Sequence, residues 1–292
     1  MVRAKEEDEV AGKAGLPAVN NDVAQYIKAT SSKETAFKHL KVMLIGSQGV
    51  GKTVTAHTIS KQCPETLPAK EWTTVSDTAT ILFDNNGADS LYHMKLEVPR
   101  KYDLSVVPGP MLRQVLSALF REQIVPAVKS GEIENLIVDS ISSLDTIFKI
   151  EASKTEDNWD WLIAAHAEFN ARLRELPCNV VMVAHGKAVE TARTKKDGDA
   201  IAVHEARLEA DGLSIGGVQL DITGQSVRFF RRNWSEIWPV YAVGDGDNKK
   251  VNIYPHGVPG IDIEHKTRMR GLAQKEPPNI RGILNRALEN RG

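Results

Sequence analysis

Gly46-Ser47-Gln48-Gly49-Val50-Gly51-Lys52-Thr53 is the stretch on which the reading of this chain turns. Glycine, four residues, glycine, lysine and threonine let backbone N–H groups converge on an anion, where a side chain at the glycines would obstruct it. Lys52 then supplies a point charge to the β- and γ-phosphates of a nucleoside triphosphate, and the Thr53 hydroxyl coordinates Mg2+. The flanks agree. Residues 41–45 (KVMLI) form a short apolar run of the kind that makes a buried strand. Thr53 to Gln62 reads as a helix halted by Pro64, with its positive dipole end at the loop.

Working outward, four further apolar runs have the same look: Thr80–Phe83, Leu104–Val107, Leu136–Val138 and Val180–Ala184. Between them lie helical patterns, Met111 to Lys129 and Trp159 to Glu175, each with a broad apolar stripe. Strands alternating with helices predict an α/β fold with a central, mostly parallel sheet flanked by helices. After residue 213 the pattern changes. Val218–Ile222, Ser226–Arg231, Trp238–Val243 and Lys250–Tyr254 read as strands joined by turns, which predicts antiparallel strands extending the sheet. Residues 1–37 form an N-terminal arm, charged and without periodicity over 1–20, with a short helix expected at Asn21–Thr30 behind Asp22. It is expected to be partly disordered or to serve oligomerisation. The core spans 38–264, and 265–292 is a basic tail ending in an amphipathic helix, Asn279 to Asn290.

Bulk composition narrows the classes. With 292 residues, 41% hydrophobic and 26% charged, the chain can bury a sizeable core. A formal net charge of −1 excludes a globally basic nucleic-acid coat but not a local basic patch. Cys63 and Cys178 lie far apart without metal-ligand spacing, as for free thiols in a reducing compartment. Met1 to Gly15 lacks the apolar segment of a secretory signal, and no apolar run is long enough for a membrane helix. A cytoplasmic protein is expected, in the bacterial host cytoplasm if phage-encoded.

A phosphate-loop enzyme also needs an acid at the end of a neighbouring strand. Asp139 meets that need at the end of Glu134-Asn135-Leu136-Ile137-Val138. A carboxylate there is costly unless a partner or cation is near. The competing and less favoured reading is a cap of the following helix, a role open to Ser140 or Ser142 as well.

The run Leu136-Ile137-Val138-Asp139-Ser140-Ile141-Ser142-Ser143-Leu144, together with the loop at 46–53, resembles the RecA-like P-loop ATPases, and most of all their phage nucleotide-binding and single-strand annealing branch. Val180 to Glu190 resembles the family strand that ends in a polar sensor, here His185. Leu220 to Val243 resembles its late strands, and His265 to Leu284 its closing basic segment and helix. The resemblance covers roughly residues 38–290. It implies a RecA-like core and ATP hydrolysis coupled to action on DNA, in recombination or single-strand annealing. It further implies that Lys52 and Thr53 bind phosphate and Mg2+, that Asp139 holds Mg2+ through water, and that His185 senses the γ-phosphate. The family's water-activating glutamate, just after the third strand, is replaced by Asn86; an amide orients water but cannot take its proton. Asp84 and Asp89 stand nearby, with Asp84 the weak candidate for the base.

Other residues are read against ordinary roles. Lys187, Arg193, Lys195 and Lys196 fall where the family's DNA-facing segment lies, yet acids follow closely and a solvated loop is as good a reading. Through the tail resemblance, Arg268 is the favoured arginine for completing an ATP site between subunits, with Arg231 next. Trp234 and Trp238 can stack on bases, but core packing fits better, and Trp159 and Trp161 read as helix-packing residues. The implied partners are single-stranded DNA, further copies of the chain, and a single-strand DNA-binding protein. Two competing readings stand: a nucleotide-gated binding or assembly protein with little hydrolysis, favoured by Asn86, and a small-molecule kinase, for which no lid is visible. No motif for contacting the base separates ATP from GTP.

Overall fold

The computed structural model describes residues 39–156, 158–189, 217–222, 230, 234–243, 250–261 and 263–289, with the side chains of 187–189, 217–219 and 288 left aside. The Asn21–Thr30 helix, the strand at 226–231 apart from Phe230, Arg193, Lys195, Lys196, Arg231 and the Lys187 side chain lie outside them.

Five parallel strands form the centre: β1 (Lys41–Gly46), β3 (Thr78–Leu82), β6 (Asn135–Asp139), β7 (Asn179–Val189) and β9 (Glu236–Val243). Their order is β9-β1-β7-β6-β3, with β5 (Arg100–Asp103) on the β3 edge and β10 (Lys250–Ile253) beyond β9. β8 (Gly217–Leu220) pairs with the end of β7. The helices are α1 (Lys52–His57), α2 (Asn86–His93), α3 (Gly109–Leu119), α4 (Val125–Lys129), α5 (Ile141–Ala152), α6 (Asn158–Glu175) and α7 (Ile280–Glu289). A small parallel pair, β2 (Thr73–Thr74) and β4 (Leu96–Glu97), sits beside the main sheet. This is the expected α/β architecture, a central and mostly parallel sheet flanked by helices.

Because both sheet faces are covered, the central strands carry apolar residues on both faces rather than in alternation. Val42 and Leu44 of β1 join Val181 and Val183 of β7 in a core with Ile59, Ile280 and Ile283 on one face. Met43 and Ile45 join Val180 and Met182 in a larger core with Leu116, Phe148 and Phe169 on the other. Trp234 and Trp238 are fully buried, so the packing reading of both holds. Trp161 lies against Phe148 and under the Arg113 guanidinium, whereas Trp159 is exposed and packs no core.

Several boundaries differ from expectation. The edge strand is Arg100–Asp103, not Leu104–Val107. An edge strand pairs on one side only, so polar residues suit it; the apolar run instead forms the turn into α3, with Leu104 buried and Val106 exposed. The helix after the phosphate loop ends at His57, because Thr58, Ile59 and Ser60 wind on through tighter i→i+3 bonds. The long helix expected over 111–129 widens into a π-turn at Phe120–Ile124 before α4. Pro126, which brings no N–H to the ladder, stands just beyond that turn. Among the described late strands, β9 runs parallel to β1, whereas β10, against β9, and β8, against β7, are antiparallel.

Candidate nucleotide site

Strand register brings the predicted residues to one edge. Gly46 lies level with His185, Asp139 with Val183, and Leu82 with Asp139, so the carboxyl ends of β1, β7, β6 and β3 open on a common crevice. The backbone N–H of Phe83 donates to Asp139 O at 2.8 Å, which sets Asp84 beside Asp139. A cleft of about 400 Å3 results, lined among others by Gln48, Lys52, Thr53, Asp84, Asn86, Asp139 and His185.

Gly49 and Gly51 have φ of 73° and 92°, the left-handed region where glycine is free and other residues are strained. Gly46 is demanded by packing rather than by phosphate: a Cβ there would stand 2.3 Å from the Val240 carbonyl oxygen of β9. Val50 anchors the loop in the core.

Lys52 is buried, its Nζ donating to the carbonyls of Gly46 at 2.9 Å and Ser47 at 2.7 Å. Burial lowers its pKa to about 8, against the opposing pull of Asp139 and Asp84. Thr53 donates its hydroxyl to Asp139 Oδ2 at 2.5 Å, across the intervening strand β7. Burial lifts Asp139 to about 6, the Thr53 bond and Lys52 working downward and the Asp84 charge upward. Asp139 does not cap the next helix; Ser140 does, accepting the Ser143 N–H at 3.2 Å.

Asp84 is held from three sides. Its Oδ2 accepts the hydroxyls of Ser143 at 2.7 Å and Ser140 at 3.3 Å, and its Oδ1 accepts the Asn86 N–H at 3.1 Å. Asn86 begins α2 with its side chain exposed at the cleft. Next to it, Gly87 touches the Asp139 carboxylate so closely that a Cβ would sit 3.1 Å from Oδ2. His185 donates its backbone N–H to Ser142 Oγ at 3.0 Å. Its Nδ1 is buried with no hydrogen-bond partner among the described residues. Burial first, then the Lys52 charge, holds its pKa below the usual histidine value, so the ring is neutral near pH 7.

The arrangement thus unites Lys52, Thr53, Asp84, Asp139 and His185. It does not bring in Arg268, which is exposed on a segment laid along β9 with its N–H bonded to Glu236 Oε1 at 2.9 Å. Lys187 lies in β7 opposite Gln219. Sequence reasoning missed the hold of Ser140 and Ser143 on Asp84, though the serine-rich run after Asp139 carried the signal. It also missed His57, buried between Thr53 O at 2.8 Å and Thr80 Oγ1 at 3.0 Å, which ties α1 to β3.

A family model described as an AAA domain matches residues 38–210. The chain belongs to this AAA-domain family. Its fold is accordingly that of an AAA-type P-loop ATPase, and the glycine loop, Asp139 and His185 all fall within the matched AAA segment. No curated protein matches the chain. Among solved structures it is similar to a KaiC-like protein from the hyperthermophilic archaeon Pyrococcus horikoshii, with 16% identity over 82% of this chain and 86% of that one and a TM-score of 0.40. Among the described residues no helix is long and apolar enough to cross a membrane.

Proposed function

We propose that this chain hydrolyses ATP with Mg2+ and couples hydrolysis to action on single-stranded DNA, in phage recombination or single-strand annealing. The observation that carries the hydrolytic part is the convergence of Asp84 with Lys52, Thr53 and Asp139 at one cleft. The donor set suits a magnesium-bound triphosphate: one lysine, one hydroxyl, one buried carboxylate and left-handed glycines in the loop. Among the described residues no three His, Cys, Asp or Glu side chains are grouped to hold a metal alone. Thr53 and Asp139 would therefore hold Mg2+ jointly with phosphate oxygens and water. Bound there, the ion would neutralise phosphate charge.

In this reading Lys52 leaves the loop carbonyls for the phosphates. Asp84, fixed by Ser140, Ser143 and the Asn86 N–H, takes the proton of the attacking water in place of the missing glutamate. Neutral His185 offers a ring nitrogen to the γ-phosphate. The DNA part rests on the resemblance of the Asp139 run, the late strands and the tail to the single-strand annealing branch. Arg268 of a neighbouring copy is the arginine proposed to complete the site.

A second reading, a nucleotide-gated assembly protein with little hydrolysis, is favoured by Asn86 at the cleft. ATP turnover of wild type and Lys52→Ala, each with and without single-stranded DNA, decides between them. Turnover that DNA raises and Lys52→Ala abolishes is the expected result. Nucleotide binding without turnover under either condition would overturn the proposal in favour of the second reading.

A further inference from the structure

A second cavity, of about 510 Å3, lies on the other side of α2 from the nucleotide cleft. Its rim carries two large aromatic side chains that the fold leaves in solvent, Trp72 at 56% exposure and Tyr92 at 68%. Their centroids are 5.5 Å apart with planes at 63°, an edge-to-face pair that leaves ring surface uncovered. Ala88, Leu91, Leu96 and Val98 line it together with Glu97 and Lys101.

The position of Trp72 is built, not incidental. Lys95, at φ 55°, passes its carbonyl to the Thr73 N–H at 2.9 Å and its ammonium to the Lys70 carbonyl at 2.8 Å. The β2–β4 pairing then fixes the segment after Trp72. Exposed Lys101 lines the cavity, and exposed Lys70 stands two residues before Trp72 in the chain, next to exposed Glu71. Flat aromatic surface with lysines alongside is the chemistry that takes unpaired bases and their phosphates, and stacking tolerates any base.

We propose that the Trp72–Tyr92 cavity binds single-stranded nucleic acid, bases stacking on the two rings and phosphates meeting Lys70 and Lys101. This rests on the DNA-acting reading above and adds a site outside the segment at 187–196. α2 forms a wall common to both cavities: Asn86, Ser90 and His93 line the first cleft, while Ala88, Leu91 and Tyr92 line the second cavity.

The test is fluorescence anisotropy of a labelled oligo-dT with the full chain at low salt, run beside gel filtration, thermal melting and DNA-free ATP turnover. Trp72→Ala and Tyr92→Ala are each expected to weaken oligo-dT binding about tenfold, with Trp72→Phe retaining most of it. DNA-free turnover and melting should stay at wild-type levels. Oligo-dT should also quench wild-type tryptophan emission, and Trp72→Phe should lose most of that quench. Wild-type affinity in both alanine variants, with wild type binding well, would overturn this site and leave the DNA-acting reading standing. Failure of wild type to bind oligo-dT would overturn both. Variants that lose an oligomer on gel filtration but keep DNA affinity would assign the surface to a second copy and overturn the proposal.

Discussion

Gly46→Ala separates what the sheet needs from what the phosphate needs. The added Cβ would lie 2.3 Å from the Val240 carbonyl oxygen, about 1 Å inside a close carbon–oxygen contact of ~3.3 Å. That neighbour is backbone in the middle of β9, paired to β1 and β10, so it cannot swing aside. Relief requires β1 and β9 to part locally, an overpacking strain at the upper end of the usual range, about 3 kcal/mol. At ~2–4 °C per kcal/mol for a body of this size, the melting midpoint should fall by roughly 6–12 °C. The melt is run without nucleotide, so loss of ligand contacts contributes nothing. Gly49→Ala is the control. It has φ 73° but no heavy atom within 4 Å of the added carbon, so it should lose only the left-handed backbone cost of about 1 kcal/mol. A Gly46→Ala protein melting within 2 °C of wild type, or less perturbed than Gly49→Ala, would refute the packing account.

Asp84→Asn should lower ATP turnover by about 100-fold or more while leaving ATP binding by calorimetry unchanged, since it removes a proton acceptor but no phosphate contact. Asp139→Asn should stabilise the ligand-free protein at pH 8. With a folded pKa of about 6 against an ordinary 3.8, the folded chain holds the extra proton between those values. The Asp139 contribution to stability therefore falls as pH rises through that window, by about 1.4 kcal/mol between pH 5 and pH 8, so the stability of wild type relative to the variant should drop by that amount in denaturant titrations at the two pH values. His57 has the opposite sign: burial depresses it to about 4, so its contribution to stability is present above pH ~6.5 and lost as pH falls toward 4, and His57→Gln should remove that acid lability in the same titration. Glu236→Ala should free the tail. It deprives Trp238 Nε1, Thr267 Oγ1 and the Arg268 N–H of their acceptor, and trypsin should cut after Arg268 or Arg270 faster than in wild type.

What could be read in advance follows the physics of each signal. The loop at 46–53 was legible because phosphate geometry restricts residue type at several positions at once. Strands β1, β6 and β7 were legible because burial on both faces makes continuous apolar runs. β5 was not, since an edge strand facing solvent carries Arg100, Lys101 and Asp103, while the apolar run beside it makes a turn. The parallel direction of β9 was equally hidden, because strand composition does not encode the sense in which a chain returns to the sheet. Asp139 was found by its place after a strand. The hold on Asp84 was not, because it depends on Ser140 and Ser143 meeting a residue more than fifty positions earlier, a contact that only the β3–β6 pairing creates.

The seat of α7 has a consequence for the order in which the molecule is completed. Ile280 gives its N–H to Thr58 Oγ1 at 2.9 Å, a bond spanning 222 positions, and Ile280 and Ile283 share a core with Ala56 and Ile59. During synthesis the phosphate-loop helix emerges first, and the residues that cover its outer end come off the ribosome more than two hundred positions later. Until then Ile59 has no lid, and a chain stopped short of residue 280 would carry the whole nucleotide motif with an apolar wound behind it. Nonsense or frameshift lesions in the tail should therefore surface as aggregation or degradation of the protein rather than as a folded enzyme with altered kinetics.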